Sequence, residues 1–390
     1  MNNYELVPFF QPIISISQKA IFGHEVLARG KCGNELILPK DLFSGKNLTD
    51  KLNIDRVIRM KTMKKCAAEN YKSILFINFP PEYFSKIQSI KLDSHLMNTC
   101  EQYNIPPENV VIEITESVVD NFSKIVNKLS EYSKLGFKIA IDDWGAEYSN
   151  FDRLAKLQPS IVKFDAAFLW QAAKNPMIRE LYVLAAEMIT KLGIKIIAEG
   201  IETIEQLFIA MDAGFPLVQG FYWAKPESHF CNNKLIEEKT SNAIKHYNES
   251  KLFNIIQEKR KINAFIESIN NSLPILSQKL LDLDRLETDL ITMMKDNPKI
   301  LKSYILGHDG TQISPNLIRK NGSIIKMMEM LNRDWSWRPY FIESQANKKL
   351  YKSKYTFSGP YIDPELNQSV YTICINIDTY NICLDFINED

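Results

Sequence analysis

Ionisable and amide side chains recur within or just after short apolar runs between residues 9 and 223. A carboxylate among apolar residues is costly unless it is paired or binds a metal, because its lost hydration is not otherwise compensated. If the runs converge, this set of side chains requires cations. The set comprises Glu25, Asn78, Glu113, Glu116, Asp142, Asp143, Lys163, Glu199 and Gln219.

The chemistry of these side chains favours two divalent cations. Carboxylates with one asparagine, and no histidine or cysteine nearby, are ligands for Mg²⁺ or Mn²⁺ rather than zinc. Two such ions a few ångströms apart are a common device for phosphodiester cleavage, and Lys163 would add a further positive charge. Taken singly, Asp142 or Glu199 is equally well interpreted as an exposed carboxylate at a turn or helix start.

Eight apolar runs alternate with helical stretches, which predicts an α/β TIM-type barrel whose strand ends form one rim. The first two runs are too close for a helix between them, so we expect an antiparallel pair and an irregular barrel. The runs are Phe10–Ile16, His24–Ala28, Ile74–Phe79, Val110–Thr115, Lys138–Ile141, Ile161–Phe164, Ile194–Ala198 and Leu217–Phe221.

The composition excludes several classes of protein. The 390 residues include 47 basic and 47 acidic side chains, so no global positive field attracts a DNA or RNA polymer or an anionic membrane. The six cysteines form no C-x-x-C pair and are expected to be reduced. A secretory leader and an apolar run of about 18 residues are not found, which predicts a soluble cytoplasmic protein.

The sequence after the barrel changes character twice. We predict a barrel over residues 1–230, a helical connector over 231–298, and an α+β domain with an antiparallel sheet over 299–390. Apolar residues of the connector, from Leu252 to Leu273, have near-heptad spacing up to Pro274, which should kink or break the helix. They form either a short coiled-coil seam or a face that packs on a neighbouring domain.

Several motifs of the first part resemble those of EAL-domain cyclic-di-GMP phosphodiesterases, over about residues 5 to 228. The resemblance implies an irregular TIM barrel that hydrolyses cyclic-di-GMP to linear pGpG with two Mg²⁺ or Mn²⁺ ions, in a homodimer. The motifs are Gln11-Pro12-Ile13, Glu25-Val26-Leu27-Ala28-Arg29, Glu113-Ile114-Thr115-Glu116, Asp142-Asp143-Trp144-Gly145, Val162-Lys163, Ala198-Glu199-Gly200-Ile201-Glu202-Thr203 and Gln219-Gly220-Phe221.

The resemblance also implies roles for individual residues. Glu25, Asn78, Glu113 and Asp142 match ligands of the first metal, Asp143 reaches the second, and Glu199 completes the cluster. Lys163 matches the lysine that orients or deprotonates the attacking water. Substrate contacts fall to Gln11, Leu27, Arg29 and Gln219, while Glu116 and Glu202 would support the loop after the fifth run.

The sequence departs from the family pattern at three positions. Val26 replaces alanine in the Glu-Ala-Leu signature, a conservative apolar change. In the loop after Asp142-Asp143, Glu147 replaces a glycine and Asn150 a serine. Since this loop couples dimerisation to substrate and metal binding in the family, and glycine permits positive φ, Glu147 is expected to weaken turnover.

The C-terminal part resembles the C-terminal domain of YkuI-type EAL proteins, a PAS-like or Cache-like sensor fold. The segments that carry this resemblance are residues 335–341 and 355–364. It implies a small-molecule site with Trp337, Arg338, Tyr361 and Asp363 as candidates. The alternative is a packed corner in which Arg338 is paired internally.

Two functions therefore remain open for the barrel. One is an active cyclic-di-GMP phosphodiesterase governed by the C-terminal domain, and the other is a catalytically weak or silent cyclic-di-GMP receptor. A barrel lyase that uses Lys163 as a Schiff base is disfavoured, because a lysine beside so many carboxylates stays protonated.

Overall fold

The computed structural model describes residues 4–80, 95–115, 122–146, 151–270, 283–351, 354–363, 365–377 and 380–387. The chain divides into two compact units, Met1–Lys251 and Leu252–Asp390. The finer boundaries expected at residues 230 and 298 remain predictions.

The first unit contains a closed eight-stranded barrel. Strand β1 is antiparallel to both of its neighbours and the other seven strands are parallel, in the order β1-β9-β8-β7-β6-β5-β4-β2, with β2 pairing back to β1. The irregular TIM barrel expected from the sequence is confirmed. Its strands are β1 (Glu5–Ser15), β2 (Ala20–Cys32), β4 (Ile74–Asn78), β5 (Val110–Thr115), β6 (Lys138–Trp144), β7 (Ile161–Phe164), β8 (Lys195–Ala198) and β9 (Leu217–Gln219), and β3 (Glu35–Ile37) extends β2.

Helices cover the outside of the barrel, as the alternation of side chains along a strand requires. Outward-facing residues such as Ile112 and Ile139 pack with Ile125 and Leu129 of the helix between β5 and β6. Within the described residues, no helix combines the length and apolar character needed to cross a bilayer. The helices of this unit are α1 (Pro39–Phe43), α2 (Leu48–Ala68), α3 (His95–Gln102), α4 (Phe122–Lys134), α5 (Phe151–Leu157), α6 (Ala166–Ala172), α7 (Pro176–Lys191) and α8 (Ile204–Asp212). Helix α9 (Asn233–Asn270) begins in this unit and continues into the second.

Local signals in the sequence fix the helix ends. The Asn175 side chain accepts hydrogen bonds from the backbone at the start of α7, where Pro176 takes the first position. Thr203 and Gln206 form a reciprocal capping box at the start of α8. Both caps satisfy backbone N–H groups that have no partner within the helix.

The second unit is an antiparallel sheet with flanking helices, as expected. The strand order is β12-β11-β10-β16-β15-β13, and β14 also pairs with β15. Phe265 of α9 stacks on Phe386 with ring centroids 3.9 Å apart. The elements are β10 (Ile300–Gly307), β11 (Asn316–Lys320), β12 (Ser323–Met327), β13 (Tyr355–Phe357), β14 (Tyr361–Asp363), β15 (Gln368–Asn376), β16 (Tyr380–Ile387), α10 (Leu283–Asp296) and α11 (Pro339–Tyr351).

The apolar side chains spaced along the connector differ in exposure along α9. Leu252 is 60% exposed and Ile255 is 38% exposed, whereas Ile269 is fully buried in the core of the second unit. The C-terminal part of the spacing therefore reflects packing on a neighbouring sheet. Leu273 and Pro274 lie outside the described residues.

Candidate functional site

The barrel strands bring polar side chains to one end of the barrel through a shared spacing. On six strands, the polar residue follows an apolar residue of the barrel interior by two positions, so both point inward. These pairs are Phe76 and Asn78, Val111 and Glu113, Ala140 and Asp142, Ile161 and Lys163, Ile197 and Glu199, and Leu217 and Gln219.

The two remaining strands follow the same rule with adjustments. Because β1 runs in the opposite direction, Gln11 precedes Ile13 by two residues, and it lies opposite Glu25 of β2. The interior position on β2 is Gly23, where a Cβ would lie 2.5 Å from the Ile74 carbonyl oxygen. Only glycine lets β2 approach β4 this closely, and that approach places Glu25 beside the other side chains.

Lys163 lies at the centre of the cluster, and only 1% of its side chain is exposed. Its Nζ is 2.7 Å from Glu199 Oε1, 2.9 Å from Glu113 Oε1, 2.9 Å from Asp142 Oδ1 and 3.4 Å from Glu25 Oε2. Burial opposes the charge of Lys163, but the four carboxylates outweigh this effect and raise its pKa well above its ordinary value. Lys163 is therefore an ammonium group at neutral pH.

Glu25 is the carboxylate held most firmly in its charged form. Gln219 Nε2 donates to its Oε2 at 2.8 Å, and Asn78 Nδ2 donates to its Oε1 at 3.0 Å. Burial alone would raise the pKa of Glu25, yet Lys163 and these two amides lower it overall. Asn78 and Gln219 thus take positions beside the carboxylate that the sequence assigned to metal binding.

In the other carboxyl groups, burial and mutual repulsion disfavour the ionised form more than Lys163 favours it. Burial and neighbouring carboxylates raise the pKa of Glu113 and of Glu199 well above the usual range. Burial and the adjacent Asp142 raise the pKa of Asp143 to about 6. Glu113 is fully buried, and its Oε2 accepts no hydrogen bond from the described residues.

The carboxylate oxygens are spaced for two cations. One atom each of Glu25, Glu113 and Asp142 lie within 4.8 Å of one another, and the same holds for Asp142, Asp143 and Glu199. The two groups share Asp142, and both consist of oxygen donors alone. This donor set fits a pair of hard divalent ions.

Comparison with known proteins places this barrel in a family. The model of the EAL domain matches residues 1–226, and that of the EAL-domain associated signalling protein domain matches residues 230–387. The chain belongs to the EAL domain family. The resemblance read from the sequence motifs is thereby confirmed for both parts of the chain.

Three relatives illustrate the family. The chain is 24% identical to the uncharacterised EAL-domain protein YkuI of Bacillus subtilis, over 96% of this chain and 92% of YkuI. The crystal structure of YkuI with substrate c-di-GMP and calcium has a TM-score of 0.89 and covers 99% of this chain and 97% of that one, which shows the same fold.

Two further relatives are named for cyclic-di-GMP itself. The chain is 28% identical to the cyclic di-GMP phosphodiesterase RocR of Pseudomonas aeruginosa, over 60% of each protein. A manganese and cyclic-di-GMP complex of Klebsiella pneumoniae BlrP1 has a TM-score of 0.52 at 26% identity and covers 57% of this chain and 56% of that one. Members of the EAL family thus hold manganese or calcium together with cyclic-di-GMP.

A cavity of about 610 Å³ adjoins the carboxylate cluster of the EAL barrel, and Glu25, Leu27 and Asn78 all contribute to its wall. Gln11, Arg29 and Gln219 lie outside this wall. Arg29 is buried, and its Nη1 donates to the Ala28 carbonyl at 2.9 Å.

Two residues of the cavity wall were not identified from the sequence. Asp55 and Arg59 lie four residues apart on α2, and both line the cavity. Burial raises the pKa of Asp55 to about 6, although the charge of Arg59 opposes the shift. The Arg59 guanidinium lies 4.4 Å from the centroid of the Phe79 ring. The charged i, i+4 spacing of Lys51, Asp55 and Arg59 was the available signal.

The residues expected to form or support the loop after β6 differ in their surroundings. Asp143 has a φ of 57°, which is unusual for a residue other than glycine and turns the chain at the end of β6. Glu202 is exposed, and its backbone N–H donates to Gln206 Oε1 at 2.8 Å. Glu116, Glu147 and Asn150 lie outside the described residues, so their expected roles stay predictions.

Three of the four candidates in the second unit line one cavity of about 460 Å³. Arg338, Tyr361 and Asp363 belong to its wall, whereas Trp337 does not and is 63% exposed. Trp335, two residues earlier, takes the place in the wall that the sequence assigned to Trp337.

Proposed function

We propose that this EAL protein is a phosphodiesterase that hydrolyses cyclic-di-GMP to linear pGpG and requires two Mg²⁺ or Mn²⁺ ions. The observation that carries the proposal is the charge balance at the barrel end. Five carboxylates surround the single ammonium group of Lys163, which leaves an excess of four negative charges when all are ionised. When fully ionised, such a buried cluster is stabilised by bound cations.

The residues present supply the oxygen donors that two Mg²⁺ or Mn²⁺ ions prefer. Glu25, Glu113 and Asp142 would hold one ion, Asp142, Asp143 and Glu199 the other, and Asn78 would contribute to the first. The bound ions would supply Lewis-acid activation of water and would neutralise charge that develops on the phosphate. The uncompensated Oε2 of buried Glu113 supports this assignment.

The remaining residues position the reacting groups. Lys163 is an ammonium group in this environment, so it donates hydrogen bonds and orients the attacking water rather than accepting its proton. Gln219 fixes Glu25 through its amide, while Leu27 faces the cavity that would receive the dinucleotide. The family resemblance implies that Arg29 and Gln11 contact the substrate, and both lie outside the wall of the described cavity.

The test is hydrolysis by the purified full chain, followed by chromatography for pGpG. We expect turnover with Mg²⁺ or Mn²⁺, little turnover with Ca²⁺, and none in chelator. Glu113→Gln should abolish turnover, since it removes a buried carboxylate without changing the size of the side chain. Glu187→Gln on the exposed side of α7 is the matched control and should leave turnover unchanged. Activity in chelator would contradict the two-ion proposal.

The second candidate is a cyclic-di-GMP receptor with weak or no turnover. The observation that favours it is Glu147, which replaces a glycine of the family loop. Tight, metal-dependent binding without pGpG would support the receptor. Under that outcome, Glu147→Gly should restore turnover if the extra side chain weakens the loop, and unchanged turnover would remove this explanation.

The proposal extends to regulation and assembly. We assign the second unit a sensor role, the whole chain a homodimeric state, and the protein a cytoplasmic location. A comparison of residues 1–251 with the full chain, by turnover rate and by sedimentation, tests the first two. Equal rates across a metabolite panel and equal dimer affinity would reassign the second unit as a structural module.

A further inference from the structure

The cavity of the second unit lies against a row of three polar side chains on neighbouring strands. Lys302 of β10 is opposite Asp385 of β16, and Asp385 is opposite Thr372 of β15. All three are buried, and Thr372 Oγ1 donates to Asp385 Oδ1 at 2.6 Å. The sequence did not identify Lys302 or Asp385, because the row exists only once the register of three strands is known.

The ammonium group of Lys302 is already fully occupied. It contacts Asp363 Oδ2 directly, lies 3.1 Å from Asp385 Oδ2, and lies 3.4 Å from Glu365 Oε2. Of these three residues, Asp363 and Glu365 belong to the cavity wall and Asp385 does not, so acidic groups outnumber the ammonium group at this end. This end repels an anion and favours a ligand that brings a positive charge and N–H donors.

Arg338 provides the opposite charge at the cavity wall. No carboxylate of the described residues lies within 4.0 Å of its guanidinium, so its charge is available to a ligand. The guanidinium lies 5.5 Å from the ring centroid of Trp335 and 4.8 Å from that of Trp337. This stacking limits the orientations of Arg338 and prepares its planar donors for a carboxylate.

Four aromatic side chains contribute to the remaining wall, and the amide of Gln312 within it is satisfied. Tyr304, Tyr340 and Tyr361 line the cavity with Trp335. Gln312 uses its amide fully, because its Nε2 donates to the Ser314 carbonyl and Asn316 Oδ1, and its Oε1 accepts from Trp335 Nε1. An apolar frame between the two charged ends of a ligand would therefore meet aromatic rings rather than unsatisfied polar groups.

We propose that this cavity binds a small zwitterion, a molecule that carries an ammonium group and a carboxylate on a compact apolar frame. The ammonium group of the ligand faces Glu365, and the carboxylate faces Arg338. A simple anion would meet the acidic end, and a simple amine would leave Arg338 unpaired. The inference rests on the proposed sensor role for its biological meaning, while binding itself is independent of hydrolysis.

The test is titration calorimetry of the full chain with matched probes in chelator. The probes are L-leucine and L-phenylalanine, their decarboxylated amines isoamylamine and phenethylamine, and their deaminated acids isocaproate and hydrocinnamate. We expect at least one amino acid to bind about tenfold or more tightly than its amine and its acid. Binding of no probe, or equal binding of an amino acid and either analogue, would overturn the proposal.

Two variants assign the ends of the ligand. Arg338→Gln should weaken the amino acid about tenfold and leave the amine unchanged, whereas Glu365→Gln should weaken both. Arg260→Gln, an exposed arginine of α9, is the control and should change neither. If circular dichroism shows that Glu365→Gln does not fold, Arg338→Gln still tests the proposal, because Arg338 is exposed and its replacement should not affect folding. Unchanged amino acid affinity in Arg338→Gln would overturn the assignment.

The outcome for this cavity is separable from that for the barrel. Binding without any pGpG formation would support the zwitterion site and count against the proposed hydrolysis. Hydrolysis without binding of any probe would do the reverse. The two proposals are therefore tested by different measurements.

Discussion

Replacement of Lys163 by methionine tests the charge balance of the EAL site most directly. Methionine keeps an unbranched side chain as far as Cε and removes the ammonium group, which lies within 3.4 Å of four carboxylates. Removal of one partner from a buried ion pair costs about 3–5 kcal/mol. In chelator, Lys163→Met should therefore lower the free energy of unfolding of the barrel by about that amount.

The pH dependence of this loss has a definite sign. A carboxyl group whose pKa is raised by folding keeps its proton to a higher pH than it does in the unfolded chain. The pKa values of Glu113 and Glu199 are already raised in this way in the parent protein. Stability is then lost as the pH rises from the pKa of the unfolded chain, about 4.3, towards the pKa of the folded protein. Each additional retained proton in Lys163→Met should steepen this loss by about 1.4 kcal/mol per pH unit.

Divalent cations should reverse the effect of the substitution. A ligand that binds only the folded state stabilises it by about 2.7 kcal/mol at about 100 times its dissociation constant. Because Lys163→Met removes the positive charge in contact with the carboxylates, which repels the ions, Mn²⁺ should stabilise the variant at least as much as the parent. The gain should be largest at high pH, where the carboxylates are ionised.

The assay is urea unfolding with hydrogen exchange of peptides from β5 to β7, which distinguishes the barrel from the second unit. Lys191→Met is the control, because Lys191 makes only an exposed pair with Glu187 at 3.6 Å and should cost at most about 1 kcal/mol. A Lys163→Met protein with parental stability in chelator and no added pH slope would refute the reasoning.

Three further predictions follow from particular contacts. Glu113→Gln should remove the Mn²⁺-dependent rise in melting temperature, and a full rise would show that Glu113 is not a ligand. Burial lowers the pKa of His24 to about 4, so stability should fall by about 2 kcal/mol between about pH 7.5 and pH 5, as the unfolded chain takes up the proton. His24→Gln should lack that part of the loss in urea titrations. Gly145 has a φ of 92°, and a Cβ there would lie 2.5 Å from the Phe168 ring. Gly145→Ala should therefore destabilise the barrel by about 1–3 kcal/mol, and parental stability in the same urea titration would contradict this.

The barrel strands could be predicted from the sequence because each one is a short apolar run that carries an inward polar residue. The predicted run Val110–Thr115 is the observed β5, whereas the predicted His24–Ala28 is only the middle of β2. β2 is longer because its pairing with β1 and β3 stabilises polar residues that do not look like a strand. Glu25 therefore lies within its strand rather than at the end.

The residues that the sequence did not reveal depend on tertiary register. Asp55 reaches the cavity only because α2 packs on the barrel with that face inward, and Lys302 meets Asp385 only through strand pairing across 83 residues of chain. The seam predicted from Leu252 onward shows the converse problem. Its spacing was correct for a helix, but nothing in the spacing distinguishes the buried Ile269 from the exposed Leu252.

The same strand register that builds the core of the barrel also builds its site. On β5 the interior residue Val111 and the site residue Glu113 differ by two positions, so a slip of one residue would turn both outward and present Ile112 to the carboxylate cluster. The apolar layer thus protects the position of each carboxylate against slippage. In return, the carboxylates oppose close approach of the strands until Lys163 and bound cations balance their charge. Packing therefore specifies where the carboxylates lie, and charge neutralisation determines how stable that arrangement is.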